Sequence, residues 1–182
     1  MSDEALMLRY RDGDAHAFDI LYERHKGAMF RYCLRHCNER ATAEETFQDV
    51  WMRVIGARSR YRPSAKFTTW LYRIARNRVI DVYRANNPGE RVSLDDESSA
   101  IEPRAAQTTD PGRQVDSQRI ATRLDAALAE LPSDQRDAFL LHEEAGLALD
   151  DIARVAGVGR ETAKSRLRYA LKKLRAALRD EV

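Results

Sequence analysis

The sequence predicts an all-α protein, with two small helical domains joined by a flexible acidic linker and a helix-turn-helix in the second. Three observations predict it. Apolar residues recur at helical spacing along nearly the whole chain, and no stretch sustains strand alternation of Val, Ile, Thr and aromatics. The pattern is lost over NNPGERVSLDDESSAIEPRAAQTTDPGRQ, which holds three of the five prolines and too little apolar area to offset the entropy of ordering it. Beyond it, a short helix, a glycine-containing turn and a long helix follow in helix-turn-helix order. The boundaries drawn from these are 1–87 for the first domain, 88–118 for the linker and 119–182 for the second. Each domain is near the size at which one core is only marginally sufficient, so each stands to gain from partner contacts.

Taken in order, Phe18, Leu21, Tyr22, His25, Met29, Tyr32 and Cys33 follow the i, i+3, i+4 rule of a first helix, which Asn38 helps to end. Thr42 and Glu45 have the spacing of a capping box for the next helix, whose buried face is Phe47, Val50, Trp51, Val54 and Ile55 and which Gly56 closes. A basic loop from Arg58 to Lys66 contains Pro63. Thr68 or Thr69 then suits the cap of a helix with Trp70, Leu71, Ile74, Ala75, Val79 and Val82 on its apolar face. Helical spacing resumes at Ile120, Leu124, Ala127, Leu128 and Leu131. Pro132-Ser133 marks a break and a new N-cap before Ala138, Phe139 and Leu141. Gly146 ends that helix, Leu149–Ala153 begins a short one, Gly157-Val158-Gly159 makes a tight turn, and a long helix runs from Arg160 to Leu178.

The formal net charge of +2 conceals segregation. Residues 51–84 carry +8 and residues 160–182 carry +5, while 1–50, 85–119 and 120–159 carry −3, −3 and −5. Two basic blocks among acidic ones point to two polyanion-facing modules rather than to a uniformly sticky chain. No run of about 18 apolar residues is present, so no membrane span is expected. MSDEALMLRYRDGD lacks the apolar core of a secretion signal, and two cysteines are too few for a disulfide framework, so a cytoplasmic protein is expected. Eight glycines without a Gly-rich loop leave no phosphate cradle, and no nucleophile has a recognisable base partner. Neither enzymatic activity nor a cofactor is expected.

On the last helix, Ala163, Leu167, Ala170, Leu171, Leu174 and Leu178 cluster on one face. Ser165, Arg168, Tyr169 and Lys172 lie opposite, flanked by Lys164, Arg166, Lys173 and Arg175. A helix seated in a DNA major groove needs this division between an apolar seat and outward donors. In the first domain, basic residues interleave with aromatics. Phe67, Trp70 and Leu71 suit the core, while Arg73, Arg76 and Asn77 are expected to face outward, toward single-stranded or distorted nucleic acid. The helix before them presents Glu44, Glu45, Gln48 and Asp49 with Arg53 nearby, read either as a solvated face or as a docking surface for a protein. Cys33, His36 and Cys37 at i, i+3, i+4 raise metal or thiol sensing as an alternative, although buried helical cysteines are commonly small hydrophobes.

Three runs resemble a known family. AEETFQDVWMRV (43–54) resembles the clamp-docking helix of bacterial RNA polymerase sigma factors, and FTTWLYRIARNRVIDVYR (67–84) resembles their promoter −10 recognition helix. LALDDIARVAGVGRETAKSRLRYALKKLR (147–175) is similar to their −35-reading helix-turn-helix. The ordered trio, without further domains, looks like the compact extracytoplasmic-function group. The resemblance implies that Glu44, Glu45, Gln48, Asp49 and Arg53 face the clamp helices of the β′ subunit. It places Tyr61, Arg62 and Lys66 of the loop, with Arg73, Arg76 and Asn77, at the −10 element, and Lys164, Ser165, Arg166, Arg168, Tyr169 and Lys172 at the −35 major groove. Phe139, Leu140, Glu143 and Glu144 would meet the β flap, and the linker would thread the core enzyme. Core RNA polymerase, promoter DNA and an anti-sigma factor are the implied partners, with no direct membrane insertion. Where family members often carry Gly and Arg in the recognition helix, Glu161 and Tyr169 stand here, so a promoter sequence does not transfer. The competing readings are an autonomous helix-turn-helix regulator, which leaves the clamp-like helix unexplained, and a metal- or redox-responsive interaction protein built on Cys33, His36 and Cys37.

Overall fold

A computed structural model describes residues 1–37, 39–86 and 115–179; Asn38 and residues 88–114 of the expected 88–118 linker lie outside these, and the last four residues of that linker belong to a helix. The described residues form eight α-helices and one short 3-10 turn, and no strand is found among them. The first helix, α1 (Asp3–Arg11), was not announced by apolar spacing. The Ala5 N–H donates to the Ser2 hydroxyl at 3.2 Å, and Leu6, Met7 and Tyr10 are buried against the rest of the domain. Gly13, at φ 109°, turns the chain into α2 (Ala15–His36), whose Asp14 cap accepts from the Ala17 N–H. The expected helical face of α2 is present, with Leu21, Met29, Tyr32 and Cys33 buried.

Helix α3 (Arg40–Ala57) starts earlier than the expected capping box allows. Thr42 already lies in its first turn, where its carbonyl accepts from the Thr46 hydroxyl at 2.7 Å, so the Thr42/Glu45 box does not form. Gly56 does not close the helix, which continues to Ala57 and tightens into a 3-10 turn over Arg58–Arg60. Helix α4 (Phe67–Asn86) is likewise not capped by Thr68 or Thr69. Its Phe67 N–H donates instead to the Glu4 carboxylate of α1 at 2.7 Å, a charged acceptor supplied from across the domain to the positive end of the helix. Trp51 anchors the packing between these helices, edge-on to Tyr22 and Phe18 at 5.0 and 5.8 Å.

The second set comprises α5 (Val115–Ala129), α6 (Ser133–Glu143), α7 (Leu149–Ala156) and α8 (Arg160–Arg179). Ser133 is the first residue of α6 rather than its cap, and Pro132 takes the cap position without a side-chain bond. The α5–α6 corner is closed by Arg136, which donates to the Ala129 and Leu131 carbonyls at 2.9 and 3.2 Å and so satisfies the end of α5. Gly157, at φ 70°, is the left-handed residue that ends α7 and permits the sharp reversal into α8. Ile152, Ala163, Leu167, Ala170 and Leu174 are buried between the helices of this set.

The two sets do not stand apart. Helix α4 packs on α7, α2 packs on α5 and α6, and the buried apolar residues of both sets belong to one contiguous core. Two marginal cores thus support each other.

The Glu4 cap is testable. Its carboxyl lies below its ordinary range, chiefly because it accepts from the Phe67 N–H. Glu4→Gln is expected to lower stability by about 1 kcal/mol at neutral pH in denaturant unfolding. The wild-type advantage should be full above the ordinary carboxylate pKa and disappear as pH falls through the lowered value.

Candidate nucleic-acid and protein interfaces

Helix α3 exposes its acidic face. Glu44, Glu45 and Gln48 are open to solvent, and Met52 beside them is 65% exposed, an uncovered apolar group on a polar surface. The other two residues expected on this face are partly engaged with α4. Asp49 pairs with Arg78 at 2.7 Å and Arg53 pairs with Asp81 at 3.2 Å. The shallow concavity between α2 and α3 is lined by Tyr22, Phe30, Phe47 and Gln48, with Arg40 and Glu44 at its edge.

The six residues expected at the −10 element separate into three groups. Arg62, Arg73 and Asn77 are exposed. Tyr61 is 1% exposed, with its ring 5.0 Å from Trp70 and 6.4 Å from Phe67. It is a core side chain, not a base platform, because the aromatic side of α4 closes over it. Burial pushes its phenol up to about 12.

Lys66 and Arg76 form the third group, since both reach the second domain. Lys66 Nζ lies 3.0 Å from Asp151 of α7. Arg76 does not face outward as expected: it is 8% exposed, and its Nε donates to Asp137 of α6 at 2.6 Å. Arg73 touches the same neighbour, donating to the Arg154 carbonyl at 3.4 Å.

Asp137 is the hub of this contact. Its other oxygen accepts from the Tyr32 hydroxyl at 2.8 Å and lies 3.4 Å from His36 Nε2. Burial would raise the Asp137 carboxyl, but His36, Arg76 and Tyr32 together outweigh it and hold the acid down at about 2. A charge pair buried this way costs desolvation to form, yet removing one partner is worth about 3–5 kcal/mol of destabilisation, because the other charge is stranded. A second hub is Glu144. Its carboxylate pairs with Arg31 at 2.6 Å and with Arg35, while Arg35 also reaches Asp125 at 3.3 Å. Glu144 was expected toward a polymerase flap, together with Phe139, Leu140 and Glu143. Phe139 and Leu140 are core residues, and of the four only Glu143 is largely open. Asp137 escaped the sequence reading, although a charge directly abutting the apolar run Ala138–Leu141 was a signal that it needs a buried partner.

The basic face of α8 is open. Lys164, Arg168, Tyr169 and Lys172 are exposed, and Ser165 is half-buried, its hydroxyl donating to the Thr162 carbonyl at 3.0 Å. The Arg168 guanidinium lies 5.2 Å from the Tyr169 ring centroid, which pre-orients it along the helix surface. Arg166 differs from expectation. It turns back to Asp134 at 2.8 Å and tethers α8 to α6, because its position lies at the edge of the apolar seat.

Cys33, His36 and Cys37 do not converge. Cys33 is buried, its thiol pushed up to about 12 by burial and by Cys37; Cys37 approaches the Thr46 hydroxyl; and His36 faces Asp137. Among the described residues no three His, Cys, Asp or Glu side chains gather as a metal site, and no helix is long and apolar enough to cross a membrane.

Comparison with known proteins follows the same division of the chain. The family model for Sigma-70 region 2 matches residues 21–88, and that for Sigma-70 region 4 matches residues 121–174. The ECF RNA polymerase sigma factor SigL of Mycobacterium tuberculosis is 31% identical over 166 residues, covering 88% of each chain. The RNA polymerase sigma factor CarQ of Myxococcus xanthus is 28% identical over 172 residues, covering 94% of this chain and 95% of CarQ. Among solved structures, CnrH in complex with the cytosolic domain of CnrY superposes with a TM-score of 0.74 at 21% identity over 100% of both chains. The sigma factor RpoE in complex with the anti-sigma factor NepR, from Bartonella quintana, gives 0.68 at 22% identity over 91% of this chain and 98% of RpoE. At these identities the structural likeness is one of fold.

The placement of Tyr61 separates packing from base contact. Tyr61→Ala is expected to cost about 3 kcal/mol in thermal or denaturant unfolding. Tyr61→Phe should stay within about 1 kcal/mol of wild type, since the buried hydroxyl meets no hydrogen-bond partner in the protein.

Proposed function

Since the chain belongs to the ECF group of RNA polymerase sigma factors, we propose how its named surfaces divide the work of a promoter-specificity subunit. The protein binds core RNA polymerase and directs initiation at promoter DNA. The open acidic face of α3, with Glu44, Glu45, Gln48 and the uncovered Met52, docks on the β′ clamp helices. Asp49 and Arg53 contribute at its border while bracing α3 against α4. The basic side of α4 with its preceding loop, Arg62, Lys66, Arg73 and Asn77, reads the −10 element as single strand. Lys164, Ser165, Arg168, Tyr169 and Lys172 of α8 read the −35 major groove, where Arg and Lys reach base edges and phosphates.

The observation that carries this assignment is the separation of the faces. An acidic, apolar-centred surface and a basic helix sit on different domains, each complementary to a different partner. Each DNA contact alone is weak and salt-sensitive, and attachment of both domains to one polymerase converts them into a single high-effective-concentration event. The chain acts in the cytoplasm and supplies positioning rather than chemistry. By analogy with RpoE in complex with the anti-sigma factor NepR, an anti-sigma partner is proposed to hold it in reserve.

Run-off transcription with core polymerase on genomic templates tests the whole reading; absence of any start site dependent on this protein would overturn it. Two finer outcomes are expected. Glu45→Ala combined with Gln48→Ala should weaken core binding about tenfold in a pull-down titration, with helical content unchanged. Arg168→Ala should leave core binding intact, lower use of −35-dependent promoters by about tenfold, and reduce the salt slope of promoter binding by about one.

A further inference from the structure

We propose that Glu161, at the tip of α8, selects a base: its carboxylate accepts from the amino group of a cytosine and so fixes a C·G pair at one position of the −35 element. This rests on the assignment of α8 to the −35 major groove and adds the identity of one base pair to it. From Arg160 to Arg179 the helix carries eight cations and a single acid, and that acid is Glu161. The Ala163 N–H donates to the Gly159 carbonyl at 3.0 Å, which closes the first turn and makes Glu161 the second residue of the helix. The N-terminal residues of a recognition helix are the ones that reach base edges, so this carboxylate stands where a duplex comes nearest.

The Glu161 side chain is 80% exposed. Its oxygens lie 3.7 Å from Arg160 and 3.6 Å from Lys164, beyond hydrogen-bonding distance in both cases, and Arg160 is drawn back to Asp150 of α7 at 2.9 Å. The carboxylate therefore keeps acceptor capacity toward the groove. Lys164, Ser165 and Arg168 follow at i+3, i+4 and i+7, on the same face of the helix. An acid in a first turn also suits the positive end of the helix dipole, but at an exposed site that benefit is small and screened by salt. Repulsion from the phosphates lining the groove acts on every sequence the helix meets. A carboxylate at this tip weakens DNA binding in general unless one base offsets the repulsion.

Cytosine is the base that does so. In the major groove guanine shows N7 and O6, both acceptors, and thymine shows O4 and a methyl group, so each leaves the carboxylate desolvated and unpaired. Adenine sets its N6 donor beside the N7 acceptor, which matches an amide rather than a carboxylate. Cytosine shows its N4 donor with no acceptor beside it. The guanine across the pair then offers O6 and N7 to a cation, and Lys164 supplies one from the same face, a turn further on. Glu161 and Lys164 thus make a two-residue reader whose opposite charges match the two halves of a C·G pair.

The test starts from a promoter whose start site depends on this protein. Its −35 region is randomised, and sequences are selected by transcription with core polymerase and the full chain. Wild type, Glu161→Gln, Glu161→Ala, Arg168→Ala and the charge control Glu130→Gln are compared. Wild type and Glu130→Gln should enrich cytosine about tenfold at one position. Glu161→Gln should move that position to adenine, because a side-chain amide matches N6 and N7, and Glu161→Ala should accept all four bases there. Preferences at the other positions should persist. Cytosine enrichment that survives Glu161→Ala overturns the proposal. A selection altered by Arg168→Ala but by neither Glu161 variant keeps α8 as the −35 reader and removes Glu161 from it. A selection altered by none of these variants removes α8 itself, and with it the assignment on which the proposal rests. A lower melting temperature of Glu161→Ala with unchanged base preference gives the carboxylate to the helix dipole alone and overturns the proposal as well.

Discussion

A carboxylate cannot be taken out of water alone, and the arrangement of this molecule follows from how that requirement is met at Asp137. Its three partners come from two helices: Tyr32 and His36 of α2, and Arg76 of α4. Any structure that buries Asp137 as a charge has to bring α6 against both helices at once. That single demand sets the contact between the domains more sharply than apolar packing does, because apolar surfaces tolerate sliding and a three-way polar junction does not. The apolar contacts around it, α4 on α7 and α2 on α5, then fill in behind.

Much of the fold was legible in the sequence, because helices of about 20 residues leave a periodic trace that propensity and burial both reinforce. The apolar faces of α2, α3, α4 and α8 lie where spacing puts them, and the Gly157 turn is forced by a left-handed backbone that favours glycine. The helix ends were less legible. Capping at Thr42, Thr68 or Thr69 and Ser133 is a local rule, and it did not decide these ends: Thr42 and Ser133 lie inside their helices rather than before them, and Glu4 caps α4 from 63 residues away. Helix α1 was missed because nine residues with three buried side chains carry too short a pattern to stand out.

The site residues divide along the same line. On α8, the outward face of a single amphipathic helix was readable from a helical wheel, and only Arg166, at the boundary of the apolar seat, turned inward to Asp134. On α4, a wheel shows which side leaves the first domain but not what stands on that side. Arg76 is outside its own domain and inside the molecule. Tyr61 precedes the helix, where no periodicity applies, and its ring went to the aromatic cluster of Phe67 and Trp70. Charge segregation by segment proved more informative than net charge, since it records which surfaces are complementary to each other as well as to outside partners.

The reach of Glu4 also bears on how the protein can be dissected. The matched region of the first domain begins at residue 21, which invites a fragment cut there. Such a fragment would lack the carboxylate at the head of α4 and the buried Leu6, Met7 and Tyr10. It would present the −10 helix with a frayed first turn and an exposed apolar seam. Weak or unspecific behaviour of that fragment would reflect its missing foundation rather than the recognition surface. The smallest unit in which this helix can be studied fairly starts with a segment that apolar spacing does not announce.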